Sequence, residues 1–255
     1  MVLPRFRTLS LVHGLPHPCS YIEDGRIAGA LFLCDIDHMD GALYQDLMAS
    51  GFRRSGAQIY RPLCVGYGNG CQECVAARVP VVHFQPSRNM QQTWRRNRDL
   101  SITSQTIHFN PSHFQLYQNY LAARHTDGPM DNPEPEAYWQ FIWSPWLETV
   151  LVEFYQQQQL LMVAVVDILP DSLSAVYTFF EPLESRRRSL GTYAILWQIA
   201  EARRLGKNWL YLGYWIDTSP KMRYKSRFQP LEVYRYGAWL PWSVGANAAA
   251  PPRQL

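Results

Sequence analysis

The chain has 255 residues, enough to bury a sizeable core as one large domain or two small ones. Its residues are 47% hydrophobic and 18% charged, which excludes a disordered polyelectrolyte. A net charge of +3 hides a strong asymmetry: residues 131–184 hold nine acids and no Lys or Arg, whereas 186–235 hold eleven Lys and Arg against three acids. Such a distribution suits a surface that faces a polyanion. Only Lys207, Lys221 and Lys225 are lysines; arginine forks suit phosphate, although a GC-rich genome gives the same bias. The apolar runs at 28–34 and 160–166 fall far short of the ~20 residues of a membrane span, and no secretory n-region opens the chain, so the expected setting is the cytoplasm.

In chain order, residues 44–50 read as a helix stopped by Gly51. Residues 58–62 read as a strand leading to Cys64, Cys71 and Cys74, spaced C-x6-C-x2-C with a glycine-rich interval. A C-x2-C pair lets two thiolates reach one centre, and soft sulfur selects zinc or iron-sulfur. Cys19 is the natural fourth ligand, with His17 or His83 as substitutes; buried reduced thiols are the competing reading. Residues 94–98 form an Arg-rich turn able to touch a phosphate backbone or simply to face water. Residues 112–124 read as an amphipathic helix capped by Asn110 or Ser112, followed by a Pro- and Gly-broken loop at 125–135.

Two strand-like runs, 160–168 and 175–180, are expected as an antiparallel hairpin. A helix over 189–205 follows, N-capped by Ser189, and then an aromatic strand over 209–216. This order, with Arg188-Ser189-Leu190-Gly191 at a helix start, predicts an α+β fold of the N-acetyltransferase type (GNAT-like): a mixed sheet flanked by helices, in one or two such halves. Tyr193 stands where that turn usually carries a second small residue. The expected division is a Cys-containing N-terminal domain at 1–100, a GNAT-like domain at 101–244 and a disordered tail at 245–255. After the last strand, Lys221, Arg223, Lys225 and Arg227 alternate with Met222, Tyr224, Ser226 and Phe228, so an extended segment would offer a cationic edge and an aromatic edge. A solvated basic loop is the plainer alternative.

Tyr211-Leu212-Gly213-Tyr214-Trp215-Ile216, then Ser219-Pro220-Lys221-Met222-Arg223-Tyr224-Lys225 and Phe228-Gln229-Pro230-Leu231-Glu232, resemble the C-terminal hallmark of the aminoacyl-tRNA protein transferases. The likeness is greatest to their short bacterial branch, the aspartate/glutamate leucyltransferases, relatives of the eukaryotic arginyl-tRNA protein transferases. Cys19, Cys64, Cys71, Cys74 and Arg78-Val79-Pro80-Val81 extend the resemblance toward the N-terminus, with extra residues between Cys64 and Cys71 compared with the family's tighter cluster.

The resemblance implies transfer of leucine from leucyl-tRNA to an N-terminal Asp or Glu, which hands the product to a Clp adaptor and protease for degradation. No cofactor is needed for the chemistry, and the Cys-rich region is associated in related transferases with an iron-sulfur cluster. In this reading Tyr224 and Lys225 contact the tRNA terminus or the oxyanion, Tyr214 lines the aminoacyl pocket, and Glu181 accepts a proton or holds the incoming amine. Arg78, Arg88 or Arg223 pairs with the acceptor's acidic side chain, and Lys221, Arg188 and Gly191 help to hold the tRNA end. Competing readings are an arginyl-tRNA transferase, a phenylalanyl/leucyl transferase, which lacks the Cys-rich segment, an acyl-CoA-dependent N-acyltransferase, and a non-enzymatic, metal-stabilised RNA-binding module.

Overall fold

The computed structural model describes residues 9–22, 24–34, 36–64, 70–124 and 133–243. The N-terminal elements are β1 (Leu11–His13), β2 (His17–Pro18), β3 (Ile27–Ala28), β4 (Ala30–Leu33), α1 (Gly41–Ala49), β5 (Arg53–Ser55), β6 (Gln58–Pro62), β7 (Val75–Pro80) and α2 (Arg88–Arg96). There follow β8 (Ser101–Thr106), α3 (Pro111–Arg124), α4 (Pro135–Ile142), β9 (Thr149–Gln156), β10 (Gln159–Ile168), β11 (Ser172–Phe180), α5 (Pro182–Arg188) and α6 (Leu190–Arg204). The last elements are β12 (Trp209–Trp215), a 3-10 turn (Arg223–Arg227), β13 (Leu231–Arg235) and β14 (Ala238–Trp242).

The architecture is mixed α+β. One eight-stranded sheet runs in the order β14-β13-β7-β12-β11-β10-β9-β8, and a four-stranded sheet runs β1-β4-β6-β5. All pairs of the large sheet are antiparallel except β11 with β12. The expected boundary near residue 100 falls between α2 and β8, while β7 from the preceding segment lies between β12 and β13 in the large sheet. The 245–255 tail and most of the 125–135 loop lie outside the described residues.

The centre is β10, whose residues 161–167 are all buried. Alternation sends Met162, Ala164 and Val166 into a core shared with α6, and Val163 and Val165 into a second core shared with α3 and α4. Each Met and Val among them contributes roughly 1.5–3 kcal/mol of burial, so a strand covered on both faces anchors both layers. The third core joins α1 and the small sheet to Leu169 and Tyr211.

The hairpin forms as expected, and β12 occupies the predicted position. The α1 helix ends in a Schellman arrangement: Gly51 N–H donates to Met48 O and Phe52 N–H to Leu47 O, both at 3.0 Å, with Gly51 at φ +88°. Two local expectations need correction. Ser189 makes no side-chain cap; it sits at φ 56° between α5 and α6, its N–H held by Ser185 O at 2.8 Å, because the chain is already helical through Arg188. The basic stretch is coiled rather than extended, so its alternation is not displayed: Arg223 and Arg227 are exposed, Lys225 is half-buried and Phe228 is buried in the core.

The two sheets are joined by a buried ion pair. Arg54 on β5 holds Asp167 on β10 through Nε at 2.8 Å and Nη2 at 2.6 Å, and Thr149 Oγ1 donates to the same carboxylate at 2.9 Å. Asp167→Ala leaves the Arg54 charge uncompensated and is expected to cost about 3–5 kcal/mol, read as a lower urea midpoint. The exposed Arg204–Glu201 pair is the control: Glu201→Ala is expected to cost less than about 1 kcal/mol.

Candidate active site

The parallel pairing of β11 with β12 spans three residues, from Ser172 opposite Trp209 to Ser174 opposite Tyr211. Beyond it β11 stays with β10 as far as Phe180, and β12 stays with β7 as far as Trp215. A register shift between Tyr211 and Gly213, with Gly213 at φ +77°, accompanies the parting. The strands therefore separate at their carboxyl ends, where open mixed sheets place ligands.

The 3-10 turn comes back onto the parted strand. Lys225 Nζ donates to Tyr214 O at 2.6 Å, satisfying a carbonyl past the end of the β11 pairing. Burial, and then repulsion from Arg53, bring the Lys225 ammonium down to about 7. A Cβ at position 213 would stand 3.7 Å from that amine. Tyr224, 40% exposed, has its ring centroid 6.0 Å from Lys225 Nζ. Tyr120 and Tyr177 act electrostatically on or with Tyr224 from the inner side. The Tyr214 hydroxyl lies 3.0 Å from both Gly51 O and Tyr60 O, and its ring packs 5.6 Å from that of Tyr60. Tyr214 thus forms wall, with its hydroxyl turned to the small sheet.

The other residues expected at a site are distributed around this opening. Arg78 donates to Glu232 at 2.8 Å and lies between the rings of Trp209 and Trp239, at 3.5 and 4.2 Å. Arg188 is 4% exposed, with its fork on Asp99 at 2.8 Å for both Nη atoms. Gly191 lies in the first turn of α6, where a Cβ would meet the Phe180 ring at 3.2 Å, so close packing uses this glycine. Glu181 caps α5 by position, its N–H bonded to Leu161 O at 2.8 Å, and it is not among the groups acting on Lys225. Arg88, Lys221 and Arg223 are exposed.

Cys19, Cys64, Cys71 and Cys74 converge. Burial and the other three thiols push the Cys74 thiol up to about 12, and Arg26 Nη1 donates to Cys71 Sγ at 3.0 Å. Among the described residues no group of three or more Cys, His, Asp or Glu is set to hold a metal ion as it stands. The donor set, four soft sulfurs with a cation beside one of them, matches zinc or an iron-sulfur cluster in chemistry. Cys74 directly precedes β7, whose Val75 pairs with Trp215, so the thiols sit beside the parted end of β12.

Arg53 is the site residue that sequence reasoning missed. It is 4% exposed, its guanidinium carbon is 4.8 Å from the Tyr211 ring and 5.8 Å from the Tyr214 ring, and its charge acts on Lys225. The available signal was Arg53-Arg54 in a strand: alternation sends adjacent side chains to opposite faces, and a strand lying between layers buries both.

A parted mixed sheet with a low-titrating lysine defines a candidate group-transfer site. The chain belongs to the arginine-tRNA-protein transferase family: the family's C-terminal model matches residues 112–235 and its N-terminal model matches 17–98. It is 49% identical over 225 residues to an aspartate/glutamate leucyltransferase of Nitrosococcus oceani, covering 88% of this chain and 92% of that one. It is 42% identical to one of Hahella chejuensis, covering 93% and 99%, and 45% identical to one of Pseudomonas fluorescens, covering 88% and 93%. Among solved structures, the C-terminal domain of a putative lysylphosphatidylglycerol synthetase from Agrobacterium fabrum superposes at TM-score 0.41 with 14% identity, over 56% of this chain and 47% of that one.

Removing the like charge at Arg53 raises the Lys225 titration. In Arg53→Met the midpoint moves up from about 7 but stays below the ordinary ~10.4 of lysine, because burial is the larger cause. Lys207, Lys221 and Lys225 are the only lysines, so the shift is read from the pH dependence of three resonances in lysine-labelled protein.

Proposed function

We propose that the protein transfers leucine from leucyl-tRNA to the N-terminal Asp or Glu of acceptor proteins, on a sheet used in the manner of a GNAT fold. The observation that carries this reading is the match, over nearly the full length of both chains, to relatives bearing that name. The fold supports it through an antiparallel β10–β11 pair, the α6 crossover and a β12 that runs parallel to β11 and then parts from it. Among the described residues no helix is long and apolar enough to cross a membrane.

The acceptor's α-amine attacks the ester carbonyl, the N–C bond forms, and the ester C–O bond to the terminal ribose breaks. An amine that titrates near 7 is suited to this exchange: neutral Lys225 takes a proton from the attacking nitrogen, and the resulting ammonium returns one to the leaving ribose oxygen. Tyr224 stands beside it to meet the aminoacyl terminus, and Tyr214 closes the wall behind. The exposed Lys221, Arg223 and Arg227 give the turn a cationic rim for phosphate. Arg95 and Arg98 edge an apolar cavity of about 330 Å³ between α2 and α6, a second surface of the kind RNA contacts.

Cys19, Cys64, Cys71 and Cys74 are proposed as ligands of zinc or an iron-sulfur cluster that fixes the segment before β7; such a centre would supply structural cross-linking. A leucine at the acceptor's new N-terminus would then be handed to a Clp adaptor and protease.

Purified protein with labelled leucyl-tRNA is expected to label peptides beginning with Asp or Glu and not Lys or Ala. Label from arginyl-tRNA instead would make it an arginyltransferase, and no label from either would refute transfer. Lys225→Ala is expected to lower the rate by roughly 10²–10⁴ with tRNA affinity kept. The facing groups are Arg53 and the Tyr214 carbonyl, so the wild-type rate should rise with pH through about 7 as the amine becomes neutral. A flat profile across that range would remove the shuttle. Metal analysis after anaerobic purification should find zinc or iron with sulfide, lost in Cys74→Ser.

A further inference from the structure

Arg53 and Arg54 are neighbours on one short strand, both almost wholly buried, yet they are treated differently. Arg54 is satisfied on every edge: Nε and Nη2 hold Asp167, and Nη1 donates to Gly56 O at 3.0 Å and Ile142 O at 3.1 Å. Arg53 is anchored through Nη1 alone, to Phe52 O and Met48 O. Its Nε and Nη2 are buried without a hydrogen-bond partner among the described residues. These two N–H groups lie on the same side of the guanidinium and form the parallel fork that grips a carboxylate at two points. Arg54 uses that same pair of atoms on Asp167.

A buried guanidinium with an unfilled fork is costly to keep unless something else fills it. No ion pair joins Arg53 to a carboxylate among the described residues; the Tyr211 and Tyr214 rings lie beside it, and its charge acts on the Lys225 amine and on the Tyr44 and Tyr60 hydroxyls. Elsewhere on the sheet Arg188 is held at two points by Asp99 and Arg78 through Nε by Glu232, while Arg235 leaves a buried Nε unpartnered; Arg53 leaves both atoms of its fork so. The unfilled fork of Arg53, with the Lys225 amine near enough to feel its charge, makes an anion site next to the place of group transfer.

We propose that the Nε/Nη2 fork of Arg53 binds the side-chain carboxylate of the acceptor's first residue, and so sets the preference for an acidic N-terminus. The inference rests on the transferase reading above. Because the Arg53 charge is felt at Lys225, a carboxylate held on this fork places the acceptor's α-amine near Lys225. The aromatic faces of Tyr211 and Tyr214 hold the guanidinium flat and keep water from competing for the fork.

The test compares peptides beginning with Asp and with Asn, which differ in charge and little in shape. Wild-type protein is expected to prefer Asp, and in Arg53→Gln and Arg53→Met the ratio of kcat/KM for Asp over Asn should fall by on the order of 100-fold. Affinity for leucyl-tRNA should be unchanged, and Arg53→Lys should recover part of the preference. A folded variant that keeps the wild-type ratio overturns the inference, as does a loss confined to tRNA affinity. Should the variants fail to fold, wild-type protein decides: saturating Asp peptide should raise the Lys225 titration and Asn peptide should not, and equal behaviour overturns the proposal. Absence of any transfer by wild-type protein is a separate result, counting against the transferase reading.

Discussion

The structure depends on the parting of β11 from β12. A strand that leaves its neighbour exposes a row of unpaired backbone groups, and the sheet must satisfy them or leave them to a ligand. Lys225 meets one of them by donating to Tyr214 O. That bond draws the 3-10 turn back over the strand ends and brings a long, flexible cation into a place with little water. The low titration of the amine follows from where the backbone needs a donor, and Arg53 lowers it further.

The rest of the molecule holds that opening in place. On one face α6 packs against β10 and β11, and on the other α3 and α4 do so, which fixes β11 to β10 along its length. On the far side β7 holds β12 and is itself held by β13. The small sheet then closes on β12 through the Tyr214 hydroxyl, which reaches the carbonyls of Gly51 and Tyr60, and on β10 through the Arg54–Asp167 pair. Gly51 is constrained twice, by its φ of +88° and by Tyr234, whose ring atom would lie 2.8 Å from a Cβ there. A helix terminus, a sheet edge and a wall of the site thus meet at one glycine.

Much of this was legible in residues. Short apolar and aromatic runs bounded by turn residues marked β10, β11 and β12, and Gly51 marked the end of α1, because burial and φ > 0 leave direct traces in composition. Lys225 was visible as one of three lysines in an otherwise arginine-based chain, set in a loop bounded by Pro220 and Pro230. The coiling of 221–228 was not legible: alternation looks the same whether a segment is extended or wound into short turns, and here burial of Phe228 in the main core decided for winding. Arg53 was hidden for another reason. Its role is defined by what does not touch it, and an unfilled fork depends on the Asp167 that Arg54 holds more than a hundred positions away in the chain.

Keeping Lys225 and Arg53 close together has a thermodynamic sign. A lysine whose folded-state titration lies near 7, against an ordinary value of ~10.4, binds its proton less well in the folded chain than in the unfolded one. The penalty is fully present below about 7 and is relieved as pH rises toward the ordinary value, so this pair opposes folding most where both groups are charged. A carboxylate arriving between them reverses the sign locally, since an opposite charge favours both cations and compensates the buried fork. The site is therefore least comfortable empty. Binding an acidic residue restores to Arg53 the kind of partner that Arg54 has from its own chain, and a neutral residue at the same place leaves the fork unfilled. Discrimination of that kind needs no shape difference between Asp and Asn. It needs a guanidinium that the fold has buried without supplying its anion.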